Sequence, residues 1–183
     1  MTCRDCNKKA SPVVLQGSLG LEEYTWKSIC CRCERSLEEA IRSWIPTKYG
    51  AGQRVRGGRV DCAQLIFGLL DQLNRNPEPS LMPRFSPDAA VHDPRPYTAV
   101  VLAGKKAFGL RVVRDRTIEP GDVILTRSTW DRLSPRRPGH AMMAGVRRGT
   151  AVHAIPNTGV TMTTLAVTTG ILRILRPEGK NKW

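Results

Sequence analysis

Residues 57–73 read Gly57-Gly58-Arg59-Val60-Asp61-Cys62-Ala63-Gln64-Leu65-Ile66-Phe67-Gly68-Leu69-Leu70-Asp71-Gln72-Leu73, and their pattern decides the fold. Leu65, Ile66, Leu69, Leu70 and Leu73 recur at helical spacing, so one face of a helix is apolar and must be buried. Asp61 is placed to cap this helix, its carboxylate accepting from an orphan N–H of the first turn. Cys62 is then the first helical residue, behind a glycine-rich approach that begins at Gly50-Ala51-Gly52. A thiol at that position feels the positive end of the helix dipole, which lowers its pKa and favours the thiolate. The unpaired N–H groups there can also hold an oxyanion. The position suits a nucleophile, although Cys62 taken alone fits a buried structural cysteine better.

Upstream, Ser36-Leu37-Glu38-Glu39 reads as a capping box opening a helix through Ala40, Ile41 and Trp44, which Pro46 ends. Downstream, residues 74–95 are proline-rich and irregular, and a further helix is expected from Tyr97 to Phe108. From Pro120-Gly121 the pattern turns to strands: Asp122 to Leu125, Ala141 to Val146, Ala151 to Ile155, Val160 to Leu165 and Ile171 to Leu175. Arg147 to Gly149 and Pro156-Asn157-Thr158-Gly159 supply turns. Helices followed by an antiparallel sheet make an α+β domain. It is expected over residues 36–183, behind a small N-terminal module at residues 1–35.

That module holds Cys3-x2-Cys6 and Cys30-x2-Cys33. Between the pairs lie two strand-like runs, Pro12 to Gln16 and Glu23 to Ile29, with a turn at Gly17 to Gly20. Two CxxC pairs joined by a hairpin match a zinc ribbon, since four thiolates complete a tetrahedral sphere. Zinc is favoured as a structural metal; a [4Fe–4S] cluster uses the same ligands and stays open. Cys31 is read as a non-ligand that can substitute for Cys30. The module serves either as a docking element or as a staple for a segment too small to build a core.

The chain has three histidines. His92 sits among Asp93, Pro94 and Pro96 and reads as a loop residue. His140 begins the strand Ala141-Met142-Met143-Ala144, and His153 lies in the next strand. A hairpin turning between Gly145 and Gly149 brings the two nearly opposite, with the register open by a residue. If they share a face, His140 can take the Cys62 proton while His153 orients its ring.

On these segments the chain resembles the NlpC family of papain-like cell-wall peptidases, and in particular its phage and gene-transfer-agent tail versions. Ser43 to Tyr49 resembles the family's leading helix with its Gly-Thr-Pro-Tyr ending. Gly57 to Cys62 resembles the Asp-Cys nucleophile loop, and Pro120-Gly121-Asp122-Val123-Ile124-Leu125 the Pro-Gly-Asp strand. Gly139-His140-Ala141 and Val152-His153-Ala154 resemble the strands of the base and the third residue. Two positions depart from the pattern: Lys48 replaces the usual proline, and the bulky Gln64 stands where glycine is usual. The resemblance implies a peptidase that attacks stem-peptide amides. Its nucleophile would be Cys62, its base His140 and its orienting residue His153, with Tyr49 by the oxyanion and no cofactor for catalysis. It also implies assembly with other tail-tip or hub proteins in a virion tail, built in the host cytoplasm. The alternative is a structural hub subunit that keeps the fold with little activity.

The net charge of +13 attracts anions such as cell-wall polymer or acidic partner proteins. The basic residues form no basic helix and no aromatic-interleaved motif, which disfavours nucleic acid. No apolar stretch follows Met1, so neither a secretory leader nor membrane insertion is expected.

Overall fold

The structure, a computed structural model, describes residues 13–15, 24–29, 31–51, 53–73, 97–106, 108–126, 139–165 and 171–178. In chain order the elements are β1 (Val13–Leu15), β2 (Tyr24–Trp26), α1 (Cys31–Trp44), β3 (Lys48–Tyr49), β4 (Arg59–Val60), α2 (Cys62–Gln72) and α3 (Tyr97–Gly104). Then follow β5 (Leu110–Val113), β6 (Thr117–Ile118), β7 (Val123–Thr126), β8 (His140–Ala144), β9 (Thr150–Ile155), β10 (Gly159–Thr164) and β11 (Ile171–Pro177). The expected α+β class holds. Six strands form an antiparallel sheet in the order β10-β9-β8-β7-β11-β5.

Both faces of this sheet are covered, and the pleat sorts the residues between them. On the helix side, Val123, Leu125, Ala141, Met143, Val152 and Ala154 pack with α2, α1 and α3. On the other side, Ile124, Met142, Ala144 and Ala151 pack with Trp26 and Ile118. Trp26 and Ile118 belong to a small sheet in which β2 pairs antiparallel with β1 and parallel with β6. Two-sided burial explains why β7 is buried at every residue and β8 at every residue but His140.

α2 is apolar nearly all round because it lies between the sheet and α1. The α1–α2 crossing is close: a Cβ on Gly68 would stand 2.4 Å from Trp44 Cζ2. Trp44 is fixed there by its Nε1–H, which donates to Gln72 Oε1 at 3.0 Å.

Three expectations change. The first concerns α1, which begins at Cys31 and not at Ser36. Ser36 is mid-helix, its Oγ donating back to Arg32 O at 3.3 Å, so it caps nothing. The helix therefore runs through the 35/36 boundary, and β2 shares a core with residues beyond it. Second, α3 ends at Gly104, short of Phe108, whose ring stacks on Phe67 at 5.3 Å. Third, Leu110–Val113 forms a further strand, β5, which pairs with β11. The run Pro120-Gly121-Asp122 is a turn under heavy restraint. Gly121 has φ 84°, and Asp122 accepts two hydrogen bonds from Arg176 of β11, at 2.8 and 2.7 Å. Burial pushes the Asp122 carboxyl up to about 6, and the guanidinium, opposing it, keeps the group ionised at neutral pH. No described helix is long and apolar enough to cross a membrane.

Candidate active site

Asp61 caps α2 as its sequence position requires. Its backbone is extended (φ −94°, ψ 175°), and Oδ1 accepts from Gln64 N at 2.8 Å. Cys62 follows as the first helical residue and is 1% exposed. Backbone N–H groups of Ala141, Ala63 and Cys62 itself are directed at the thiol. They favour the thiolate, but burial raises the pKa by more, and the Asp61 carboxylate raises it further. The expectation of a partly ionised thiol is therefore corrected. A helix end is worth about 0.3–1 kcal/mol to an anion, whereas removing an anion from water costs several. Gln64, the bulky departure after the nucleophile, is itself buried.

The Ala141 N–H ties Cys62 to the start of β8, where His140 stands. The β8–β9 register is Met143↔Val152 and Ala144↔Ala151, which continues to put His153 opposite Met142. The two histidines are therefore diagonal neighbours on one face and not directly opposed. Their rings meet edge-on, with His140 Nε2 2.7 Å from His153 Nδ1. Burial, and then the neighbouring His153, push the His140 imidazole down to about 3; burial also lowers His153. Both rings are neutral at pH 7 in the resting state. Among the described residues no hydrogen bond joins Cys62 Sγ directly to His140.

Tyr49 reaches the same region by a different route. β3 pairs in parallel with β4, setting Tyr49 beside Val60, which leads directly into Asp61-Cys62. β3 is held in turn by β10: Val160 N donates to Thr47 O at 2.8 Å. Gly159 allows this approach. It has φ 83°, and a Cβ there would lie 2.4 Å from Thr47 O. Tyr49 is half-buried against the helix-side core.

Two groups were not singled out from sequence. Thr163 Oγ1 lies 3.3 Å from His153 Nε2 and extends the histidine pair by one residue. Its signal was the alternation Thr161-Met162-Thr163 in an edge strand next to the His153 strand. Thr163 also borders a cleft of about 350 Å³ between α1 and β10, whose apolar lining includes Ile41, Ile45 and Met162. The other group is Arg176, the buried partner of Asp122, which no local pattern marks. Of the expected metal ligands, Cys3, Cys6 and Cys30 lie outside the described residues, as does His92. Cys33 is buried in the first turn of α1, and Cys31 beside it is exposed.

No family model matches the chain, and no curated protein does. Among solved structures, the structure of NlpC1 from Trichomonas vaginalis is similar, with 19% sequence identity and a TM-score of 0.49. The alignment covers 80% of this chain and 44% of that one, so this chain spans less than half of that protein's length. A likeness of that strength assigns this chain neither an activity nor a substrate.

Proposed function

We propose that this chain is a cysteine hydrolase acting on amide bonds of peptidoglycan stem peptides, with Cys62 as nucleophile and His140 as base. The observation that carries the reading is the 2.7 Å His140–His153 contact, together with the backbone link from Ala141, the residue after His140, to the thiol of the helix-capped Cys62. Because both groups rest neutral, His140 works as a general base during attack and not as half of a standing ion pair. As Cys62 Sγ bonds to the carbonyl carbon, its proton passes to His140 Nδ1. The oxyanion so formed is suited to the N–H groups around the thiol. Collapse breaks the C–N bond, the leaving amine takes the His140 proton, and a thioester remains. Water then attacks the thioester, His140 takes its proton, and the thiol is restored. A hydrogen bond between Cys62 Sγ and His140 Nδ1 has to form on substrate binding, as catalytic contacts often tighten only in the complex.

The peptidoglycan substrate, the place of Tyr49 by the oxyanion, and a tail-tip setting among hub proteins rest on the sequence resemblance. The charge of +13 suits an anionic wall polymer. A structural metal at Cys3, Cys6, Cys30 and Cys33 belongs to the same proposal. A second reading, a structural subunit with a silent site, is favoured by one observation: Cys62 is 1% exposed. One experiment separates the two. Wild-type protein should release new amino groups from host peptidoglycan, and Cys62→Ala and His140→Ala should not. Equal behaviour of wild type and Cys62→Ala on walls of the correct host would leave the structural reading.

A further inference from the structure

We infer that Thr163 is a positioning residue of the histidine pair: its hydroxyl accepts the Nε2–H of His153 and so holds the proton arrangement that leaves His140 basic. The catalytic consequence rests on the hydrolase reading above; the proton arrangement itself does not.

A neutral imidazole has one N–H and one lone pair. The 2.7 Å contact between His140 Nε2 and His153 Nδ1 therefore needs one ring to donate and the other to accept. If His140 donates, its Nδ1 keeps a lone pair, His153 Nδ1 accepts, and the His153 proton sits on Nε2, 3.3 Å from Thr163 Oγ1. If His153 donates, His140 must carry its proton on Nδ1 and has no basic nitrogen left for a thiol. Only the first arrangement supports proton uptake by His140.

Protonation of His140 makes the choice absolute. Both of its nitrogens then carry N–H, so His153 Nδ1 has to accept and its proton has to be on Nε2. His153 is 8% exposed, so that N–H needs an acceptor. Among the described residues, Thr163 Oγ1 is the acceptor in reach. The register explains its placement. Thr161 lies directly opposite His153, and Thr163, opposite Ala151, is its diagonal neighbour on the same face. Through the whole cycle His140 takes a proton from Cys62 and gives it to the leaving amine, then takes one from water and returns it to the thiol, and none leaves His153 or Thr163.

The test is ¹⁵N NMR of the histidine ring nitrogens in the full chain, with wild type, Thr163→Val and Thr163→Ser compared. Valine suits a strand, so the fold should persist. Wild type should show His153 protonated on Nε2. Thr163→Val should move its ring signals toward a mixture of tautomers, and Thr163→Ser should restore the wild-type pattern. Amino-group release from peptidoglycan should fall roughly tenfold in Thr163→Val, about the worth of one hydrogen bond, and recover in Thr163→Ser. Ring signals in Thr163→Val identical to wild type would overturn the inference, as would a wild-type His153 protonated on Nδ1. Inactive wild type would end the hydrolase reading alone, because the ring signals test Thr163 without any turnover.

Discussion

In the native protein, iodoacetamide should alkylate Cys62 at least tenfold more slowly than Cys31. The two thiols sit at neighbouring kinds of site, each the first residue of a helix, but Cys31 is exposed and Cys62 is 1% exposed. An ordinary thiol with a pKa of about 8.5 is roughly one-tenth ionised at pH 7.5. Each unit by which burial raises the pKa cuts that population tenfold and returns only about threefold in intrinsic nucleophilicity, a net loss of about threefold. A rise of about two units thus gives the tenfold difference, and exclusion of the reagent adds to it. Burial dominates at Cys62, the Asp61 charge adds to it, and only backbone N–H groups oppose it. The assay is timed alkylation followed by peptide mass mapping, with the unfolded protein as control, where the two rates should converge. Alkylation of Cys62 as fast as Cys31 would refute the reasoning. It would mean that a thiolate persists at the helix end, paired with a His140 imidazolium.

Gly68→Ala should lower stability by roughly 1–3 kcal/mol in urea unfolding, because its methyl meets the Trp44 ring at 2.4 Å; an unchanged midpoint would show that the crossing is slack. Arg176→Met should cost about 3–5 kcal/mol by stranding the buried Asp122 carboxylate, and adding Asp122→Leu should recover part of it. Thermal stability should fall as pH drops from about 6.5 toward 3. Below the ordinary histidine pKa the unfolded chain binds up to about two protons that the folded His140 and His153 refuse, so ν_U exceeds ν_N and stability rises with pH. Replacing both histidines with Gln should flatten that slope across the window. Freshly purified protein should contain about one zinc, or about four irons if a cluster is bound, and under a tenth of an equivalent of either would exclude the four-cysteine site.

Much of the fold was legible because its cues are local. The α2 face follows from Leu65, Ile66, Leu69, Leu70 and Leu73, and Asp61 is the cap its position implied. The strands from Val123 onward were visible as short apolar runs between turn residues, and β1 and β2 pair as the intervening glycines suggested. The start of α1 was misplaced because Ser36-Leu37-Glu38-Glu39 satisfies a capping pattern that the longer helix overrides. β5 escaped notice because Leu110-Arg111-Val112-Val113 is a strand only by virtue of β11, more than sixty residues later.

The candidate site divides along the same line. Sequence by itself determined that one cysteine begins an apolar helix and that two histidines lie on consecutive strands. These are facts of spacing and capping, which neighbouring residues enforce. Only the tertiary structure decided the rest. The β8–β9 register turned opposed histidines into diagonal ones, and so brought Nε2 to Nδ1 at 2.7 Å and Thr163 within reach of His153. Packing of α2 between the sheet and α1 removed Cys62 from water, which reversed the direction of its pKa shift. A helix dipole can be read from chain order, but desolvation depends on everything that closes over the thiol, and those atoms come from distant parts of the chain.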